Sequence, residues 1–246
     1  MDTLSVAELL YFCFIIVISY AIRGSAGFGG VTVPLLAWVM SLKTVVPMVT
    51  FLGLVSSIAI LRTEHRHIAW KDLWRILPWT ALGVAIGVYF FKILDATTLA
   101  RMLGGFVLAY GCYALLMTWR TPGKLQLPMY AITPTAGTLA GFVGTMFGSM
   151  AGMFFAIYLD ILRHGRDAFR ATVAAILFAL GILRGGAYVI AGEFTHDVLI
   201  ACAVALPMMG LGIFIGNRIH ANLNDVAFKR LVAAILIVSG LPLLVR

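Results

Sequence analysis

Charge is scarce in this sequence. Of 246 residues only 11% are Asp, Glu, Lys or Arg, and 62% are apolar. An ordinary soluble domain carries about 25% charged residues. The mean hydropathy is +1.02, and several apolar runs approach the ~20 residues that cross a bilayer. The chain therefore reads as an all-α polytopic membrane protein rather than a large soluble helical one. Alternation is lacking too: the long apolar runs have no period-2 pattern, which excludes a transmembrane β-barrel. Cysteines number three, Cys13, Cys112 and Cys202. All lie inside apolar stretches without metal-ligand spacing, so they read as small buried residues and not as staples or ligands. No Walker loop, Ser/His/Asp set or paired intramembrane carboxylates are found, so neither ATP hydrolysis nor hydrolytic catalysis finds support. The expectation is a non-enzyme with no cofactor and no metal. Met1–Ser5 lacks the basic region of a cleavable signal peptide, so the first apolar run is expected to stay in the mature protein.

What is present is a set of eight apolar stretches: 6–40, 44–61, 76–91, 99–119, 129–159, 172–191, 198–216 and 231–245. The first and fifth are too long for one span and too short for two full spans with a turn, at ~20 residues per span. Each carries glycines in its middle: Gly24, Gly27, Gly29 and Gly30 in one, Gly141, Gly144, Gly148 and Gly152 in the other. Irregular backbone at membrane depth survives only where protein or a water-filled cavity satisfies its polar groups. Each odd stretch therefore reads as a helix that breaks and returns.

The net charge of +8 need not mean nucleic acid, because a basic excess in a membrane protein sits in cytoplasmic loops. Twelve of the eighteen basic residues lie in loops 62–75, 120–128, 160–171 and 217–230, which places those loops in the cytoplasm. Stretch 129–159 then starts and ends inside, and 6–40 starts and ends outside. The chain divides into an N-terminal transmembrane repeat over 1–120, a cytoplasmic linker over 121–128 and a C-terminal repeat over 129–246. The two repeats have the same pattern and opposite orientation, as in many secondary transporters. The competing arrangement, one long tilted helix per odd stretch, gives eight spans and a parallel repeat. Trp70, Trp74, Trp79 and Trp119 fall at the expected interfaces and read as aromatic-belt anchors. His65, His67, His164, His196 and His220 lie in loops without ligand spacing and read as solvated.

The breaks suit an anion. Gly27-Phe28-Gly29-Gly30 is expected to open a short helix over 31–40, whose first N–H groups lack internal partners and carry the positive end of the dipole. Ser25 and Thr32 add hydroxyl donors, and Pro34 is tolerated near a helix start. Thr145, Gly148, Ser149 and Gly152 are expected to supply a matching end in the second half. The alternative is that the glycines only allow close helix packing, which Gly144-x-x-x-Gly148-x-x-x-Gly152 fits well. Arg23 and Arg184 are the two basic residues set deep within apolar stretches, Arg101 standing near the start of 99–119, and an intramembrane arginine normally faces a cavity or a partner. Both are candidates for binding the anion. Alternatively Arg23 snorkels to the interface, and Arg184 pairs with Glu193 if its helix ends early. Arg170 reads as an anchor at the cytoplasmic start of its helix.

Gly24-Ser25-Ala26-Gly27-Phe28-Gly29-Gly30 with Pro34-Leu35-Leu36 resembles the first glycine motif of the TauE/SafE family of sulfite-exporter-like membrane permeases. Gly141-Phe142-Val143-Gly144-Thr145-Met146-Phe147-Gly148-Ser149-Met150-Ala151-Gly152 resembles the second, followed by Tyr158 and Phe169-Arg170-Ala171-Thr172 at the family's usual distance. The resemblance covers nearly the whole chain. One departure is Gly152-Met153, where many members carry Gly-Gly or Gly-Pro. The resemblance implies a two-half secondary transporter for sulfur-containing anions or organic acids, multi-pass in the plasma membrane, the cytoplasmic membrane of a bacterium. It also raises a gating role for Arg170, and Pro34 is a gating candidate beside it. The expected partners are a small anionic solute and membrane lipid, with no nucleic acid. A second copy of the chain is a candidate partner, and no coupling ion is legible. Rival readings are a cation or metal permease using Met146, Met150 and Met153, a non-transporting membrane scaffold, and a passive channel.

Overall fold

The computed structural model describes residues 5–26, 30–117, 129–148, 150–162, 165–219 and 225–245. Among them are ten α-helices and no strand: α1 (Val6–Ala26), α2 (Thr32–Leu36), α3 (Leu42–Glu64), α4 (Trp70–Ile93), α5 (Ala96–Met117), α6 (Met129–Phe147), α7 (Ala151–Ile161), α8 (Arg166–Ala191), α9 (His196–Ile219) and α10 (Asp225–Val245). Five of them, α1, α4, α5, α8 and α9, are long and apolar enough to cross a membrane. The all-α polytopic membrane class is thus what the chain adopts.

Several helices extend beyond the apolar boundaries. α8 begins at Arg166 and α10 at Asp225, so Arg170, Lys229 and Arg230 are helical and not in loops as the charge pattern suggested. Apolar stretches mark the lipid-immersed length, whereas backbone hydrogen bonding continues into the interface, where basic side chains extend their stems toward water. Local chemistry sets the starts. Ser5 and Glu8 form a capping box on α1: the Glu8 N–H donates to Ser5 Oγ at 3.3 Å and the Ser5 N–H to Glu8 Oε2 at 2.7 Å. Asp95 caps α5, accepting from the Thr97 and Thr98 N–H groups at 3.1 and 3.0 Å and from the Thr98 hydroxyl at 2.6 Å.

The Thr98 hydroxyl, with the capping N–H groups, holds the Asp95 carboxyl below the usual carboxylate range. A carboxyl whose folded value is lowered stabilises the fold above its unfolded value, and that contribution fades as pH falls through the folded one. Asp95→Asn keeps an acceptor at the cap but cannot titrate. The Tm difference between wild type and Asp95→Asn in detergent is therefore expected to shrink between pH 6 and pH 3. A difference independent of pH would refute this account.

The chain separates into two compact units. One comprises Met1–Val45, Leu94–Lys124 and Ala203–Arg246; the other comprises Val46–Ile93 and Leu125–Cys202. Each draws on both sequence halves, so compact units and halves are different divisions of the chain.

Glycines set the packing within each unit. In the second unit α4 crosses α6. A Cβ on Gly83 would overlap the Thr138 carbonyl oxygen and stand 2.8 Å from the Phe142 nitrogen, and one on Gly87 would stand 2.8 Å from Thr145 Cβ. In the first unit α9 crosses α1 in the same way. A Cβ on Gly212 would lie 2.5 Å from the Val17 carbonyl oxygen, and one on Gly216 would lie 2.9 Å from the Ala21 carbonyl carbon. Two glycines four apart let backbones approach within van der Waals contact, where helices in lipid gain their dispersion energy. Also in the first unit, α5 meets α10 at a reciprocal contact: a Cβ on Gly104 would be 2.9 Å from the Gly240 carbonyl oxygen, and one on Gly240 would be 3.1 Å from that of Gly104. The second unit closes its core with Ile76, Val84, Phe155, Tyr158, Ile176 and Leu180 from α4, α7 and α8.

Candidate functional site

Both odd stretches are broken, and both reverse. In the second, α6 stops at Phe147, Gly148 and Met150 take left-handed φ of 68° and 69°, and α7 starts at Ala151. A β-carbon built on Gly144 would lie 2.8 Å from Ala151 Cβ. Residues seven apart in a straight helix are separated by about 10 Å along the axis, so α7 turns back on α6. Glycine adopts positive φ freely, but Met150 does so only where its surroundings impose it.

In the first, the Tyr11 hydroxyl donates to the Leu35 carbonyl at 3.1 Å, although the two are 24 residues apart. Arg23 lies twelve positions beyond Tyr11 on α1, about 18 Å along the axis at 1.5 Å per residue. Leu35 has therefore come back some three turns from the break end of α1. Arg23 and the α2 residues around Leu35 are neighbours in sequence but not in space. α2 is also shorter than the helix expected over 31–40. It ends at Leu36, and tightened bonds carry the chain on: Trp38 N–H to the Leu35 carbonyl at 3.3 Å and Val39 N–H to that of Leu36 at 3.1 Å. The Trp38 indole is held by the Ser239 carbonyl at 3.1 Å, which fixes this tight turn.

The expected site residues distribute as follows. Arg23 is half-buried on the last turn of α1, with its guanidinium 5.9 Å from the Tyr20 ring centroid, at the outer limit for a cation–π contact. Ser25 belongs to the same turn, but its side chain, like that of Arg170 on α8, is outside the described residues, as are Gly27, Gly29 and Ser149 entirely. Gly30 is half-buried ahead of α2, and Thr32 and Pro34 are buried within it. Thr145 is fully buried in the last turn of α6, and Gly152 is half-buried in the first turn of α7.

Arg184 is the best-defined of the set. It is 7% exposed, and its Nη1 donates to the Gly144 carbonyl at 2.6 Å. α8 does not end early; it runs to Ala191 and closes on Gly192 at φ 77°. Gly144 and Thr145 are the first of the four residues of α6 whose carbonyls have no intrahelical partner. Arg184 satisfies one, and the Tyr188 hydroxyl, one turn further along α8, donates to the other. A cation at a helix C-terminus also complements the negative end of its dipole. Gly144 itself serves packing, as the alternative reading had it: its vacant side faces Ala151, Leu180 and, at 3.9 Å, Arg184 Nη1. The same position therefore brings the guanidinium beside the first turn of α7, whose N–H groups carry the positive end of a second dipole.

Three participants escaped the sequence reading. Tyr188 satisfies the Thr145 carbonyl, the Phe91 ring stacks on Tyr188 at 5.1 Å, and Gly87 receives the Thr145 side chain. The signals were there in Arg184-x-x-x-Tyr188 and Gly83-x-x-x-Gly87-x-x-x-Phe91, each one turn apart on a helix. Neither says which helix end it meets.

The family model described as sulfite exporter TauE/SafE matches residues 11–243. A relative described as "Probable inner membrane transporter protein TsaS", from Comamonas testosteroni, is 29% identical over 189 residues, 73% of this chain and 74% of the relative. No solved structure matches.

Proposed function

Starting from the fact that the chain belongs to the TauE/SafE sulfite exporter family and is a multi-pass membrane transporter, we propose that it is a secondary transporter for a small anion. The substrate class is a sulfur oxyanion, an organosulfonate or an organic acid, carried by alternating access. The reading is carried by one observation: a buried guanidinium, Arg184, sits at a helix break between the last turn of α6 and the first turn of α7. A buried guanidinium in low dielectric suits an anion better than any other solute. The α7 N–H groups and the Thr145 hydroxyl add donors. The set requires no ionisable acid, and a cation would meet repulsion from Arg184.

The two halves, 1–120 and 129–246 about the 121–128 linker, are inverted repeats in this reading. Its support is the shared packing device, in which the third long helix of each half docks by two glycines four apart on the broken helix of the other half. The name of the relative suggests the location, a bacterial inner membrane. The first break, with Arg23, Ser25, Gly27, Gly29, Gly30 and Thr32, contributes to substrate handling, and Pro34 and Arg170 to gating.

A thermal-shift screen of purified protein tests the substrate class with sulfite, sulfate, thiosulfate, methanesulfonate, acetate and divalent metals. A ligand at a hundred times its Kd that binds only the folded state adds about 2.7 kcal/mol of apparent stability. Stabilisation by one or more of the anions, saturable and absent in Arg184→Gln, is the expected outcome. Stabilisation by metals alone would establish the permease for cations instead.

A further inference from the structure

We propose that Tyr188 and Gly87 are positioning residues for the transported anion, holding Thr145 so that its hydroxyl is left for the substrate. This rests on the anion reading above. Thr145 is fixed by its neighbours at two points. Its carbonyl accepts from the Tyr188 hydroxyl. Its Cβ and Cγ2 fill the vacant side of Gly87, where a built β-carbon would lie 2.8 and 3.2 Å from them. What remains is Oγ1, which is fully buried and has no hydrogen-bond partner among the described residues.

That vacancy is unusual for a helical threonine. A helical threonine hydroxyl commonly returns to a carbonyl one turn back, as buried Thr50 and Thr80 and exposed Thr135 do in this chain. Thr50 bonds the Val46 carbonyl at 2.8 Å, Thr80 that of Ile76 at 3.1 Å, and Thr135 that of Ala131 at 2.7 Å. Thr145 stands apart from them, and it stands at the break. A buried hydroxyl without a partner is costly, and in a native structure it calls for a reason, of which a ligand that completes it is one.

The support behind Thr145 is rigid. Phe91 lies one turn beyond Gly87 on α4 and packs its ring against Tyr188 at 5.1 Å, so one helix backs both contacts. Arg184, on the same face of α8 as Tyr188, grips the neighbouring Gly144 carbonyl at 2.6 Å. α8 therefore delivers the charge through Arg184 and the orientation through Tyr188. Selection among anions of one charge then falls to Thr145, since a hydroxyl set in a fixed direction rewards an oxygen in the right place and penalises a substrate without one.

The test is a double-mutant cycle on sulfite uptake into proteoliposomes, reading KM and Vmax separately. Thr145→Val, which keeps the shape and removes the hydroxyl, is expected to raise KM about tenfold, the scale of one hydrogen bond to an anion. Tyr188→Phe is expected to raise KM about fivefold with Vmax within about twofold, and to change KM by less than about twofold once Thr145 is already Val. Thr145→Ser, which keeps the hydroxyl and loses the methyl that Gly87 receives, should fall between wild type and Thr145→Val. An equal Tyr188→Phe effect on both backgrounds would show independent structural damage and overturn the proposal, as would a Tyr188→Phe KM equal to wild type. If Tyr188→Phe does not fold, a Thr145→Ser KM equal to wild type overturns it. Absence of saturable wild-type uptake of sulfite, thiosulfate and methanesulfonate is a different failure, overturning the anion reading itself and this role with it.

Discussion

Arg184→Gln is expected to reduce anion uptake by about a hundredfold, a loss of roughly 2.7 kcal/mol and within the range for a charge-assisted hydrogen bond in a dry site. The substitution removes two things at once. The anion loses its fixed counter-charge, and the Gly144 carbonyl, now held at 2.6 Å, exchanges a charged donor for a weaker one or for none. Leaving a buried acceptor unpartnered costs about 1–3 kcal/mol, so a lower Tm should accompany the transport defect. Arg184→Lys separates the two. It restores a charge but not the planar fork that serves a carbonyl and an anion together, so it should recover part of the uptake. Uptake at wild-type levels in Arg184→Gln would remove Arg184 from the substrate path and leave it as a helix cap alone.

The second large effect is structural. Gly141→Ala should lower Tm by about 5 °C or more, or leave the protein aggregated on extraction; overpacking by one methyl costs about 1–3 kcal/mol, and 1 kcal/mol is worth about 2–4 °C at this chain length. The added carbon would overlap the Thr80 carbonyl oxygen and approach Val84 N at 3.0 Å and Gly83 C at 3.1 Å. Every one of these atoms is backbone, so relief requires α4 and α6 to separate, which also withdraws Gly87 from Thr145. Gly186→Ala and Gly210→Ala provide the contrast. Among the described residues outside the local helix backbone, nothing lies within 4 Å of the added carbon at either position, and alanine is about 1 kcal/mol more favourable than glycine inside a helix. Both variants should match or exceed wild type in Tm. Equal losses at Gly141 and Gly210 would mean that backbone entropy, not helix approach, governs these glycines.

Much of the fold was legible because lipid leaves few choices. A chain whose backbone must satisfy itself, with runs of span length and no alternation, folds as helices. The breaks were legible in outline for the converse reason, since a glycine-bearing stretch too long for one span and too short for two must break, but which glycine breaks it was not: Gly141 and Gly144 stay helical and Gly148 takes φ of 68°. The contiguity of Arg23 through Pro34 misled. One-dimensional proximity suggested a single constellation, but the Tyr11–Leu35 bond places Leu35 about three turns back along α1 from Arg23. A return of this kind depends on what α2 packs against, and no local pattern records it.

The sequence by itself determined the class of molecule, which two stretches break, and the rarity of charge that makes Arg184 conspicuous, because each follows from composition and period. Only the tertiary structure decided what Arg184 does. A hydrogen bond to Gly144, forty residues away, depends on α8 lying against the end of α6, and that in turn depends on the helices being close-packed. The same holds for Tyr188 and Gly87, an unremarkable tyrosine and glycine until α4, α6 and α8 meet around Thr145. Side-chain type sets which bonds are chemically available; only the meeting of distant helices selects the ones that form.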